Sequence, residues 1–370
     1  MTQTEENMTR TSRPSAIRRM IEKTTSKKRP IFIWGPPGIG KSDIVWQIGR
    51  DQGRPVIDIR LLLMDPTDIR GIPYYSPASG KMEWAPPTDL PSDPESNAIV
   101  FLDEMNAAPQ AVQGAAYQLI LNRRVGTYTL PESSVIVAAG NRETDKAVSY
   151  RMPSALSNRF VHVEMKHDYN DWHEWALNNN IDPSVIGFLG KFPAELNTFN
   201  PKTSSRAFAT PRSWSFVSEL IDPEMSESDQ TDLICGCIGE GSGLKFSKFL
   251  TTSMNLPNPM DILQGKIKEF HATDPSLAYN LGAQMTYLMR DIYQNYKQNT
   301  QSGEDMPKDY YEKANAMLVF MMNNFDGELT VWTAKTYLSH MKLPIKPNLV
   351  PSWKAFSDRY GNAIRGRETN

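Results

Sequence analysis

The sequence predicts an α/β fold, a parallel sheet of five strands between helices, followed by a long stretch that is helical only. Three observations carry this reading. Short apolar runs bounded by turn residues recur through the first half of the chain. Segments with helical periodicity lie between them, and strands that alternate with helices form parallel sheets covered on both faces. From about Tyr169 onward, only the helical pattern persists.

The elements follow in order. Residues 1–30 hold eight Lys/Arg against three Glu, a net charge of +5, and 15–28 are predicted to form a short helix leading into the core. "IFIW" is a buried strand closed by a Gly-Pro-Pro-Gly turn, and the next helix places Ile44, Val45 and Ile48 on one face before ending near Gly53. "RPVIDIRLLL" (54–63) is the second strand. Residues 65–94 are rich in Pro and Gly and show no clear periodicity, which marks a functional loop. "AIVFLDE" (98–104) is the third strand, and Asn106 is expected to cap the helix through "PQAVQGAAYQLILNR". "RVGTYTLPESSVIVAAGN" alternates, turns at Pro131-Glu132-Ser133 and runs into an apolar strand over 135–139 that ends at Asn141. "ALSNRFVHVEM" is a helix end and the fifth strand. Beyond it, Trp172, Trp175 and Ala176 share helical spacing and are read as core. "TPRSWSFVSELI" begins with Thr210 as N-cap and Pro211 at the first helical position, with an apolar stripe of Trp214, Val217 and Ile221. The expected division is a basic tail or helix over 1–28, an α/β core over 29–167, and helical regions over 168–250 and 251–370.

Hydrophobic content of 39% and charged content of 22% are those of an ordinary globular protein, and no apolar run approaches a membrane span. With no signal-peptide core at the N-terminus, the cytoplasm is the expected compartment. The net charge is −2, so a nucleic-acid partner, which needs a surplus of clustered cations, is not expected. The two cysteines, Cys235 and Cys237, would face opposite sides of a strand as packed thiols, with no cluster to complete a zinc site. His162, His167 and His173 do not share a helix face and are not read as metal ligands.

The chemistry begins at "IFIWGPPGIGKSDIV". A strand, a glycine loop and a helix form the context that Gly35-x-x-x-x-Gly40-Lys41-Ser42 requires to bind phosphate. Gly38 and Gly40 let successive N–H groups point inward, and the helix N-terminus adds its positive end. The loop residues Gly35, Pro36, Pro37, Gly38, Ile39, Gly40, Lys41 and Ser42 would cradle ATP. Lys41 would reach the β and γ phosphates, and the Ser42 hydroxyl would ligate Mg2+. "IVFLDE" ends at the sheet's C-terminal edge, where ligand sites of such sheets lie. There Asp103 would hold the metal and Glu104 would act as general base on water, a role that favours ATP hydrolysis over phosphorylation of a metabolite. Asn141, at the tip of the next strand, could reach the γ phosphate or the water. Arg212 stands in the first turn of a helix, where a cation opposes the dipole by about 0.3–1 kcal/mol. An anionic partner, the nucleotide phosphates, explains that placement.

This set resembles the AAA+ ATPases. "GPPGIGKS" corresponds to Walker A, "IVFLDE" to Walker B, Asn141 to sensor 1, "LSNRF" to the arginine-finger position and "TPRSW" to sensor 2, over residues 31–214. The hairpin "RRVGTYTLP" and the long insert carrying "DPTDIRGIP" are similar to the MoxR branch, of the dynein-related AAA domain type. The resemblance implies an α-helical lid after the core and a ring, commonly a hexamer, with ATP between subunits. It also implies chaperone-like work, often with a von Willebrand factor A domain protein. It makes Arg159 the finger acting in trans on a neighbour's phosphate, with Arg142 and Arg151 as competitors for that role.

The leading expectation is an ATP-hydrolysing remodeller of a protein client. The alternatives are a nucleic-acid-linked AAA+ motor, and a nucleotide-gated assembly switch with incidental turnover. Two segments that ATP chemistry does not need bear on the choice. The hairpin around 123–128 feeds the strand ending at Asn141. The insert is expected to expose Tyr74, Tyr75, Met82 and Trp84, a composition suited to gripping protein.

Overall fold

A computed structural model of the chain describes residues 10–145, 150, 152–203, 205–271, 274–300 and 305–365. Its contacts divide the chain into two units, the first from residue 1 to Asp171 with Phe199–Ser204, the second Trp172–Thr198 with 205–370.

The first unit is built on a parallel six-stranded sheet ordered β1-β10-β2-β9-β6-β3. These strands are β1 (Thr11–Ser12), β2 (Ile31–Trp34), β3 (Val56–Arg60), β6 (Ile99–Asp103), β9 (Val135–Gly140) and β10 (Val161–Met165). The inner strands read as continuous apolar runs because both faces are covered. Ile31, Ile33, Ile99, Phe101, Val135 and Val137 turn to one face, against Ile17 and Ile21 of α1 (Pro14–Thr25) and Ile44, Val45 and Ile48 of α2 (Lys41–Asp51). Phe32, Val100, Leu102, Ile136 and Ala138 turn to the other, where α3 (Pro66–Arg70) supplies Ile69 and α4 (Gln110–Asn122) supplies Val112, Ala115, Ala116 and Leu119. Side chains alternate along a strand, so each strand serves both cores.

The sheet has one strand more than the five expected. Thr11 and Ser12 pair with Glu164 and Met165 on the outer edge of β10. The segment is polar and two residues long, so only backbone pairing defines it and no apolar pattern announces it. Asn106 also departs from expectation. It lies in a buried turn before α4, whose N-cap position is Pro109.

The Pro/Gly-rich insert is ordered into two pieces. After α3 comes an antiparallel hairpin of β4 (Ile72–Ser76) and β5 (Lys81–Ala85). Ile72, Tyr74, Tyr75 and Met82 are exposed although they alternate between its two faces. A hairpin with both faces largely in solvent has no reason to show a period of two, which is why the sequence pattern was silent there. Gly71 joins α3 to the hairpin at φ 83°, and a Cβ there would stand 1.9 Å from the Ala85 carbonyl oxygen, so only glycine fits. A second hairpin, β7 (Arg124–Val125) and β8 (Tyr128–Thr129), follows α4 as expected. Gly126 and Thr127 at its turn lie against β5, with Thr127 Oγ1 donating to the Trp84 carbonyl at 2.9 Å. Trp84 is therefore half-buried. Tyr128 reaches back to donate its hydroxyl to the Pro91 carbonyl at 2.9 Å, and burial pushes that phenol up to about 12.

The second unit is helical in its described residues. Phe188, Trp214, Phe246 and Phe249 pack ring against ring with centroids 5.1–6.2 Å apart. A larger core gathers Tyr310, Met317, Phe320, Met321 and Tyr337 around the helix Pro275–Asn299. Cys235 and Cys237 are in the helix Glu227–Ile238, not in a strand. The turn of that helix sets Cys235 against Gly243 of the next, so close packing between helices explains a small residue there. Among the described residues no helix is long and apolar enough to cross a membrane.

Candidate functional site

The C-terminal ends of β2, β6 and β9, adjacent in the sheet, bring the candidate residues together. Between β2 and α2 the loop turns through Gly38 (φ 73°) and Gly40 (φ 93°), left-handed conformations that side chains rarely adopt. The turn places Lys41 at the start of α2 with its Nζ inside the loop, donating to the carbonyls of Gly35 at 2.7 Å and Pro36 at 2.9 Å. The same ammonium donates to Asn141 Oδ1 at 2.9 Å, linking the loop to the tip of β9. Ser42 Oγ donates to Asp103 Oδ2 at 2.8 Å across to the end of β6. The other carboxylate oxygen, Asp103 Oδ1, accepts from the Glu104 backbone N–H at 2.8 Å.

Glu104 has φ 54°, left-handed for a residue with a side chain. Such a conformation persists only where the surroundings enforce it, and it clusters at functional sites. Here the enforcing contacts are the Asp103 carboxylate and a return bond from Ala107 N–H to the Glu104 carbonyl at 2.9 Å. The turn carries Glu104 past the strand end, half-buried beside the metal-ligating candidates.

Two residues outside the expected set belong to this edge. Buried Asn106 donates its Nδ2 to the Asn141 carbonyl at 2.7 Å, so the turn after Glu104 is tied to the backbone that presents Asn141. Asp58 on β3 is raised above the usual carboxylate range, first by burial and then by the charge of Asp103. Its Oδ1 is buried with no hydrogen-bond partner among the described residues. An acidic residue inside "VIDI" was the available signal, since such residues are rarely enclosed without a reason.

The arginines separate by their surroundings. Arg142 is committed to a network, with Asp145 at 2.6 Å and Glu164 at 2.9 Å, and the Asp145 hydrogen bond leads in raising its pKa. Arg159 stands exposed in the turn between α5 (Ser154–Ser157) and β10, and its guanidinium has no ion pair among the described residues. It makes none of the loop contacts above. Arg151 lies outside the described residues. Arg212 belongs to the second unit, exposed in the first turn of the helix Pro211–Leu220, which Thr210 caps by accepting from Ser213 N–H at 3.1 Å.

No family model matches the chain. Midasin of Giardia intestinalis is 27% identical over 167 residues, which is 43% of this chain and 3% of that protein. Among solved structures, a Cytophaga hutchinsonii protein described as a candidate ATPase aligns at a TM-score of 0.35 and 13% identity, over 88% of this chain and 79% of its own. The RuvB Holliday junction branch migration motor of Thermotoga maritima aligns at 0.38 and 15%, over 69% and 75%. NtrX of Brucella abortus in complex with ADP aligns at 0.37 and 14%, over 77% and 67%.

Proposed function

From a chain that carries the AAA+ nucleotide-binding fold and resembles the MoxR branch, we propose an ATPase that hydrolyses ATP to ADP and phosphate as a ring-forming, chaperone-like remodeller of a protein client in the cytoplasm. The observation that carries the proposal is the pairing of Lys41 with Asn141 and of Ser42 with Asp103 at one edge of the sheet. A cation already enclosed by loop carbonyls, and a hydroxyl already beside a carboxylate, are the donor types that phosphate and Mg2+ need, so the site fits both groups.

In this reading Gly35, Pro36, Pro37, Gly38, Ile39 and Gly40 present backbone N–H groups to the phosphates, and Lys41 leaves the Gly35 and Pro36 carbonyls to neutralise them. Ser42 and Asp103 hold Mg2+, which when bound withdraws charge from the phosphate oxygens. Glu104 takes a proton from the attacking water. Asn141 orients that water or the terminal phosphate. Arg159 acts on a neighbouring subunit's site, and Arg212 is the proposed phosphate-sensing cation of the helical lid over 168–250. The exposed hairpin of β4 and β5 is the proposed client-facing element, with a von Willebrand factor A domain protein as one such partner.

One experiment addresses chemistry and client together. Glu104→Gln should bind ATP yet lose roughly 10²–10⁴ in turnover, and should retain a protein partner in the ATP state. Tyr75→Ala with Met82→Ala should release that partner while wild-type ATPase persists in the otherwise unaltered chain. Wild-type hydrolysis by Glu104→Gln would remove Glu104 as the base. A partner held equally by the hairpin variant would place the grip elsewhere.

A further inference from the structure

One side chain joins the strand that opens the phosphate loop to the turn that carries Arg159. Trp34 ends β2 immediately before Gly35, whose carbonyl holds Lys41. Its indole Nε1–H donates to His162 Nδ1 at 2.9 Å, across from β2 to the neighbouring β10. An indole nitrogen only donates, so His162 Nδ1 carries no proton, and the ring's proton resides on Nε2. That nitrogen faces the Ser157 carbonyl at 2.8 Å and the Ser157 hydroxyl at 3.1 Å. Both ring nitrogens are therefore used, in directions that only a neutral imidazole of this tautomer satisfies.

The packing holds the ring in that orientation. His162 is inclined by 25° to the Trp34 ring with centroids 6.0 Å apart, and Phe32 and Phe160 stand at 5.9 and 6.2 Å. The Ser157 carbonyl accepts a second bond, from the Phe160 N–H at 3.1 Å, which closes the turn in which Arg159 sits. His162 thus grips the carbonyl at the base of the Arg159 turn with one nitrogen and the entrance to its own phosphate loop with the other.

We propose that His162 is a positioning residue that fixes the Arg159 turn to the subunit's own phosphate loop. It rests on the reading of Arg159 as a residue acting in trans. The site a subunit holds and the site it completes in its neighbour are then set by one short, stiff link. A displacement of Arg159 by about 1 Å would suffice to cost roughly 10²-fold in rate, because phosphoryl transfer depends on placement of charge.

The test uses the full chain. His162→Phe keeps the ring volume and stacking but removes both hydrogen bonds, and Trp34→Phe removes only the indole donor. Each should melt as a folded protein, bind a fluorescent ADP analogue with wild-type affinity, and lose roughly tenfold to a hundredfold in ATPase turnover. Mixing His162→Phe with Glu104→Gln should restore turnover, since the Glu104→Gln subunit supplies an intact Arg159 turn to a partner whose own Glu104 is intact. Mixing Arg159→Ala with Glu104→Gln is the control for the trans reading. If that control recovers and the His162→Phe mixture does not, His162 serves only its own site and the inference falls. If neither mixture recovers, the trans reading fails and the inference with it. Wild-type turnover in both single variants, or loss of ADP analogue binding in both, would also overturn it.

Discussion

Lys41 and Asn141, 100 residues apart in the chain, are joined by a 2.9 Å hydrogen bond between the ammonium and the side-chain carbonyl oxygen. The bond couples the residue that should neutralise phosphate to the one that should sense it. It also implies an exchange of partners, because an ammonium turned toward phosphate leaves the Asn141 carbonyl. Asn141→Ala should therefore leave nucleotide affinity close to wild type while turnover falls roughly 10²-fold, the cost of losing one positioned polar group. Titration with a fluorescent nucleotide alongside a phosphate-release assay separates the two. Loss of affinity equal to loss of rate would make Asn141 a simple binding residue.

The left-handed backbone at Glu104 predicts a conflict between stability and activity. A side chain in that conformation costs about 1–2 kcal/mol that glycine does not bear. Glu104→Gly and Glu104→Ala should both be inactive, with the glycine variant the more stable of the two by about 1 kcal/mol in urea unfolding. Equal stabilities would mean the turn relaxes to another conformation once the carboxylate is gone.

Arg142 and Arg159 should fail in opposite ways. Arg142→Ala removes the guanidinium from the buried Asp145 carboxylate, leaving it the backbone N–H of residue 142, and should destabilise the fold by roughly 2 kcal/mol. Arg159→Ala touches no ion pair among the described residues and should leave the melting temperature unchanged while abolishing hydrolysis with ATP still bound. Thermal melts and turnover measured on the same preparations distinguish them. A destabilised Arg159→Ala, or a stable but inactive Arg142→Ala, would reverse the assignment of the two.

His173 sets a pH dependence in the second unit. Its ring is buried, stacked on Trp332 with centroids 5.5 Å apart, and burial followed by the neighbouring His340 lowers it from 6.5 to about 3. The unfolded chain binds a proton here between those values and the folded chain does not. The stability contributed by the neutral ring is therefore complete above pH 6.5 and is lost as pH falls toward 3, with a slope of about 1.4 kcal/mol per pH unit. His340 is lowered for the same reason and adds to the trend. Urea unfolding from pH 7 to 4 should show this slope, and His173→Phe should flatten it. An unchanged slope in the variant would assign the effect to other groups.

The sequence by itself determined the parallel α/β core and its candidate phosphate loop. Phosphate loops and carboxylate-ended strands are local patterns, written in contiguous residues, so Lys41, Ser42, Asp103 and Glu104 stand out as candidates from spacing alone. The strands of the inner sheet were legible for a related reason, since burial on both faces leaves an uninterrupted apolar run. What only the tertiary structure decided are the relations between segments with no shared pattern. Thr11 and Ser12 join the sheet through backbone groups that any sequence possesses. The β4–β5 hairpin hides its period because neither face meets the core, and Tyr128 of the second hairpin pins its hydroxyl to the distant Pro91 carbonyl. Asn106 reads as a helix cap until the fold sets it under the Asn141 carbonyl, and His162 reads as an isolated histidine until adjacent strands place it between Trp34 and Ser157. A hydrogen bond between distant residues depends on where two backbones come to lie, and that placement is a property of the whole packed sheet.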